Sequence, residues 1–199
     1  YDGHKAGSFG NVGCFSFNTM KILASLGEAG MVVTSDSFVA ERARVLRANG
    51  MFDRDTCVEI SQNAKIATIQ AAFLLVRLKR VEALIQRRAE IASLYDTVLD
   101  KGIIRPRSAW KGRHAYYTYT ILVDGRDELC KRLAGLGIET SVQHRLLIPY
   151  HPAYRGVGRG HYRNAEYLAG RVLSLPANEK ITVDQCRYVG SSINEFLRK

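Results

Sequence analysis

Lys21 is the residue whose type and setting could do chemistry. It lies in residues 14–34, CFSFNTMKILASLGEAGMVVT, where an apolar and aromatic run ending at Phe17 gives way to residues without clear periodicity. Lys21 follows, then the glycine-bracketed turn Gly27-Glu28-Ala29-Gly30 and a second apolar run from Met31. The pattern reads as strand, loop, turn, strand. Two apolar strands flanking one lysine would place its amine at the edge of a buried sheet. Lost solvation there disfavours the charged form, lowers the pKa and makes the amine a nucleophile. The local sequence is equally compatible with a solvated loop lysine, the commonest state of that residue.

The elements that must position this lysine can be read on either side of it. Residues 1–13 carry turn chemistry. Asp36 caps a predicted helix over 37–47, ended by Asn49-Gly50, and residues 51–60 read as an irregular loop. Apolar residues spaced three and four apart predict a long helix over 64–99, bent near 79–82 and long enough to join two domains. A loop at 108–112 precedes a strand over 116–123, a helix over 127–136 ended by Gly137, and a strand over 138–142. Residues 145–160 are loop-like. A helix over 162–170, a strand over 172–175 closed by Pro176, and a helix over 182–197 capped by Thr182 complete the order. Strands and helices alternate, so the class is α/β, with a small α/β lobe at the end.

With 199 residues, 46% hydrophobic and 24% charged, the protein is long enough to bury a core. Its longest nearly apolar run, 66–76, is too short to span a membrane, and residues 1–20 lack the features of a secretion signal. Cys14, Cys57, Cys130 and Cys186 are scattered, which fits free thiols in a reducing cytoplasm and neither a disulfide framework nor zinc. The histidines show no ligand spacing, so no metal is expected. The formal charge is +10, from 29 Lys and Arg against 19 Asp and Glu. A nucleic-acid partner is one reading of that excess. The basic residues around 77–88 instead alternate with apolar ones at helical spacing, which fits a solvated helix face, and a positive field also attracts phosphorylated ligands.

Three segments together resemble the DegT/DnrJ/StrS family of sugar aminotransferases. The first is Gly7-Ser8-Phe9-Gly10 with Gly13, Ser16-Phe17, Lys21 and Gly27-Glu28-x-Gly30 before the second strand. The second is Gln62-Asn63-Ala64-Lys65 ahead of the long helix, and the third is Ser174-Leu175-Pro176 with Thr182 and Gln185. Residues 137–140 and 149–154 are similar to the family's small-domain stretch over the sugar site. Ala29 and Ser61 stand where the family has glycine.

The resemblance implies the pyridoxal 5′-phosphate-dependent transferase fold of the aspartate aminotransferase type. Residues 1–59 would be the end of the large cofactor-binding domain, 60–100 a linking helix and 101–199 the small C-terminal domain. It implies that Lys21 bonds to the cofactor and later shuttles a proton, and that Ser16 binds the cofactor phosphate. Asn63 would reach the phosphate of a partner subunit in a homodimer, although by position it also reads as a helix cap. His151 would contact the sugar, or stands as a surface-loop histidine. The implied activity is amino transfer, from glutamate, onto a keto sugar, nucleotide-linked or otherwise, in amino-sugar or surface-polysaccharide biosynthesis. No acid for the cofactor ring nitrogen is found, so the rest of the active site is expected outside these residues. A regulatory or scaffold protein keeping the fold is the alternative.

Overall fold

The two runs flanking Lys21 form an antiparallel hairpin in the computed structural model, which describes residues 1–107, 112–157 and 160–198. Strand β1 (Gly13–Ser16) pairs with β2 (Gly30–Val33), Cys14 opposite Val32 and Phe15 opposite Met31. The intervening loop is closed twice: Phe17 N–H donates to Ala29 O and Ser25 N–H to Phe17 O, each at 2.8 Å. At the far end of β1 the backbones crowd so closely that a Cβ on Gly13 would lie 2.2 Å from Gly7 O.

The sheet around Lys21, expected to be buried, is not covered by the described residues. Phe15, Met31, Val32 and Val33 are exposed. A two-stranded hairpin keeps both edges and most of each face open, and helix α2 (Thr68–Leu78) covers only part of it. Phe15, Phe17, Met31, Leu74 and Leu78 line an apolar groove of about 430 Å³ there.

Helix α1 (Ser37–Leu46) starts where the sequence places it, because Asp36 Oδ1 accepts from Phe38 N–H at 2.9 Å and Val39 N–H at 3.2 Å. It ends in two consecutive left-handed residues, Asn49 at φ 61° and Gly50 at φ 73°. The predicted long helix is two helices, α2 and α3 (Val81–Val98). Arg80 N–H reaches back three residues to Arg77 O at 2.9 Å, tightening the turn before the next helix resumes. Neither glycine nor proline marks this break, and the apolar spacing runs through it.

By backbone contacts the molecule divides within α3. Tyr1–Leu84, with Gly112 and Arg113, form the first unit, and the described residues from Ile85 onward, apart from those two, form the second. The hydrophobic core lies in the second. There β3 (Tyr119–Leu122) pairs antiparallel with β4 (Val172–Leu175), and the remaining helices are α4 (Arg126–Gly135), α5 (Arg163–Ala169) and α6 (Val183–Leu197). Strand alternation buries Tyr119 and Ile121 with Leu173 and Leu175, among Ile91, Leu129, Leu133 and Ile193. The Thr120 and Ser174 hydroxyls pair at 2.8 Å.

The buried phenols are satisfied: Tyr95 OH donates to Pro176 O at 2.7 Å and Tyr119 OH to Asp96 Oδ1 at 2.6 Å. Burial pushes both phenol pKa values up, with Asp96 adding to the effect at Tyr119. Helix α6 carries a reciprocal cap, Thr182 Oγ1 accepting from Gln185 N–H at 3.2 Å and Gln185 Oε1 from Thr182 N–H at 2.9 Å.

Two strand predictions shrink. Tyr116 sits at φ 48°, outside extended geometry, so β3 begins only at Tyr119. The strand expected over 138–142 reduces to one bridge, Ser141 to Ser174. The loop expected over 108–112 falls mostly on residues outside the described ones. Several basic side chains serve the fold itself. Arg88 donates to Tyr116 O and Tyr117 O, and Arg105 forks onto Asp96 O and Asp100 O at the end of α3, where the helix dipole favours a cation. Among the described residues no helix is long and apolar enough to cross a membrane.

Candidate active site

The hairpin loop organises the site through Asn18. Its backbone carbonyl accepts Lys21 N–H at 2.9 Å, its side-chain Oδ1 accepts Met20 N–H at 2.8 Å, and its own N–H points at Ser16 Oγ at 3.4 Å. An asparagine bonding the backbone two residues on folds the loop into a tight turn, which is why no strand or helix period is visible here. Ser16 closes β1 opposite Gly30 and is exposed, while Lys21 is half-buried. The structure thus joins Ser16 and Lys21 through one residue, Asn18. Sequence reasoning passed over Asn18; its signal was an Asx residue in the non-periodic stretch after a strand.

The loop also contains Ala24 and Ser25, both buried. Ser25 Oγ has no hydrogen-bond partner among the described residues. The other arm of the loop presents Glu28, whose carboxylate accepts Asn18 Nδ2–H, and whose backbone carbonyl accepts from Gln70 Nε2 on α2 at 3.4 Å.

Asn63 lies in the same unit. The backbone around it is paired with the end of α1, with Ala64 N–H donating to Arg47 O at 2.9 Å and Asn49 N–H to Gln62 O at 3.3 Å. Its reading as a helix cap is overturned. Helix α2 starts at Thr68 with Ala67 at the cap position, and Gln70 Oε1 accepts Ala67 N–H at 3.3 Å. Asn63 Oδ1 instead accepts Lys65 N–H at 3.3 Å, and its Nδ2 donates to no group among the described residues. Upstream, Asp53 ties the preceding loop: the N–H groups of Asp55 and Thr56 hold its carboxyl below the usual aspartate range.

His151 belongs to the second unit. It is exposed between two single 3₁₀ turns, Ile148–Tyr150 and Pro152–Tyr154. The Tyr150 hydroxyl donates to Glu166 on α5, and Tyr162 N–H donates to the same carboxylate at 3.2 Å. These donors hold Glu166 below its ordinary value of 4.5, Tyr150 contributing most, and the same contact raises the Tyr150 phenol. A depressed carboxyl stabilises the folded form fully above its unfolded pKa, and that contribution is lost as pH falls through the lower folded value. The Tyr162 amide resonance should therefore titrate with a midpoint below 4.5, and Glu166→Gln should abolish that titration. A midpoint at or above the ordinary value would mean that the anchor does not form in solution.

The sequence model of the DegT/DnrJ/EryC1/StrS aminotransferase family matches residues 1–194. Erythromycin biosynthesis sensory transduction protein EryC1 of Saccharopolyspora erythraea is 33% identical over 94% of this chain and 52% of its own length. The dTDP-3-amino-3,4,6-trideoxy-alpha-D-glucose transaminase of Streptomyces venezuelae is 31% identical over 100% of this chain and 54% of its own. Among solved structures, S. venezuelae DesV in complex with a ketimine intermediate superposes with a TM-score of 0.93 at 31% identity, covering 100% of this chain and 55% of that one. The chain spans about half the length of the curated relatives it matches.

Proposed function

The chain belongs to the DegT/DnrJ/EryC1/StrS aminotransferase family, and from that premise we propose that it is the lysine-bearing part of a pyridoxal phosphate-dependent sugar aminotransferase. The reaction moves an amino group, from glutamate, onto a keto sugar, in amino-sugar or surface-polysaccharide biosynthesis. The observation that carries this reading is the turn in which Asn18 links the Ser16 hydroxyl to Lys21.

The residues present fit two ends of the cofactor. Ser16 Oγ gives its proton to no acceptor among the described residues and Asn63 Nδ2 is equally free, so both suit the oxygens of a phosphate dianion. Lys21, a half-buried residue five positions after the serine, carries the primary amine that suits the aldehyde end. Pyridoxal phosphate, when bound, supplies an aldehyde that amines add to and a ring that holds the electron pair left by a departing proton. Lys21 would hold the aldehyde end through Nζ, and the same amine, when unprotonated, would be the base that carries a proton. Ser16 would hold the phosphate end through its hydroxyl.

Residues 1–59, which lie within the first unit, are read as the end of the cofactor-binding domain, with a linking helical stretch over 60–100. Residues 101–199 form the small domain, in which His151 faces the sugar. The partner is a second copy of this chain, with Asn63 serving the neighbouring site. Support comes from apolar side chains exposed before and after it in the sequence, Phe52 at 73%, Ile60 at 100% and Ile69 at 70%. The compartment is the cytoplasm.

Borohydride reduction of the intact protein with pyridoxal phosphate, followed by peptide mapping, tests the assignment. The label should sit on Lys21. A label on another lysine, or none, removes Lys21 from the chemistry and leaves the regulatory reading, which the sensory-transduction name of the EryC1 relative favours. Asn63→Ala should lower cofactor retention about tenfold, the scale of one charge-assisted hydrogen bond. Unchanged retention would return Asn63 to a purely local turn.

A further inference from the structure

We propose that Glu28 and Asn18 form a clamp that positions Lys21, with Gln70 of α2 as its anchor, so that Glu28 is a positioning residue of the lysine site. The inference rests on the reading of Lys21 as the cofactor lysine and adds residues to which that reading gives no role.

The argument begins with Asn18. Its side-chain amide has one accepting end and one donating end, and both are engaged: Oδ1 by Met20 N–H at 2.8 Å, Nδ2 by the Glu28 carboxylate at 2.5 Å. A carboxylate only accepts and a backbone N–H only donates. Turning the amide over would set its oxygen against the carboxylate and its NH₂ against Met20 N–H, so Glu28 fixes which way Asn18 faces. Without Glu28, the side chain loses one of the two partners that select this orientation, and the bond to Met20 N–H stands alone. The backbone of Asn18 meanwhile receives Lys21 N–H and approaches Ser16 Oγ. Any shift of Asn18 therefore changes the spacing between the serine and lysine.

Glu28 is itself held. Gln70 donates to its carbonyl oxygen and lies so close to Gly27 that a Cβ there would come within 3.2 Å of Gln70 Nε2. Gln70 Oε1 is tied to Ala67 N–H at the start of α2. A series of hydrogen bonds thus runs from the first turn of α2 through Gln70, Glu28 and Asn18 to the backbone of Lys21. Glu28 is exposed to solvent, so its carboxylate is placed by the bond to Asn18 and not by burial. The role it fills is geometric.

The test uses the intact protein and two readouts. In the cofactor-free form, Glu28→Ala should raise amide hydrogen exchange at Met20 and Lys21 about tenfold, while exchange in the β1–β2 ladder and the melting temperature stay as in wild type. With pyridoxal phosphate and borohydride, labelling of Lys21 in a fixed time should fall about tenfold in Glu28→Ala and recover in Glu28→Gln, whose side-chain oxygen still accepts from Asn18. Asn18→Asp sets two carboxylates face to face; its labelling should be impaired at neutral pH and improve on acidification relative to wild type. Wild-type exchange and labelling in Glu28→Ala would overturn the clamp alone, whereas failure to label Lys21 in wild type would overturn the reading beneath it. Should Glu28→Ala not fold, the pair Glu28→Gln and Asn18→Asp decides. Labelling in Glu28→Gln as poor as in Asn18→Asp overturns the clamp, and wild-type labelling in Glu28→Gln beside an impaired Asn18→Asp supports it.

Discussion

Lys21→Ala should leave no bond to pyridoxal phosphate and no measurable amino transfer. Two losses combine in that variant. The nucleophile that captures the cofactor is gone, and so is the base that moves the proton. General acid–base work by a positioned side chain alone is worth about 10²–10⁴ in rate, which sets a floor for the fall in kcat. Lys21→Arg separates charge from nucleophilicity, because a guanidinium keeps the positive charge but does not lose its proton. It should be as inactive as the alanine variant. The measurement is the visible spectrum on adding pyridoxal phosphate, with wild type, Lys21→Ala and Lys21→Arg side by side. A wild-type band in either variant would return Lys21 to an ordinary loop residue.

Gly50→Ala should be the most damaging single substitution in the first unit outside the lysine itself. Gly50 has φ 73°, where an alanine costs about 1–2 kcal/mol. A Cβ there would also stand 1.6 Å from Glu59 O, a backbone atom with no rotamer to escape into. Overpacking of this kind costs about 1–3 kcal/mol more, for a total of roughly 2–5 kcal/mol. The loop cannot simply swing aside, because Gly50 N–H is held by Val45 O at 3.0 Å and Val58 N–H donates to Gly50 O at 2.9 Å. Asn63 follows this loop and pairs across to Ala48, so cofactor retention should fall with stability. Urea unfolding of the variant checks the first claim, and an unchanged midpoint would mean that residues 50–59 yield without strain.

The sequence was most informative where one local signal fixed one local structure. Asp36 capped α1 and Asn49-Gly50 ended it, Thr182 with Gln185 opened α6, and the Gly27–Gly30 turn sat at the end of a hairpin. Reading failed where the outcome depended on partners distant in sequence. The apolar spacing through Lys79 and Arg80 is that of an unbroken helix, and only the Arg80 to Arg77 bond shows the interruption. The strand expected over 138–142 has the right residue types but finds a single bridge to β4. β2 has the β-branched composition of an interior strand and is exposed, because side-chain type reports what a strand suits and not what covers it. At the site, Ser16, Lys21 and Asn63 carried motif information. Asn18 did not, since its contribution is hydrogen-bond direction rather than residue spacing.

The closures that present Lys21 all lie between Ser16 and Gly30, none of them joining residues more than 14 positions apart. Contacts so near in sequence form without a large entropic search: a ten-residue loop closes in about 10–100 ns and a hairpin in about 1–10 μs. The Gln70 tether, 42 positions from Glu28, must wait for α2 to dock. During folding the lysine should therefore be presented by its own turn first and locked by the helix afterwards, which makes this stretch a natural nucleus and leaves the wider assembly to recognise a feature already in place.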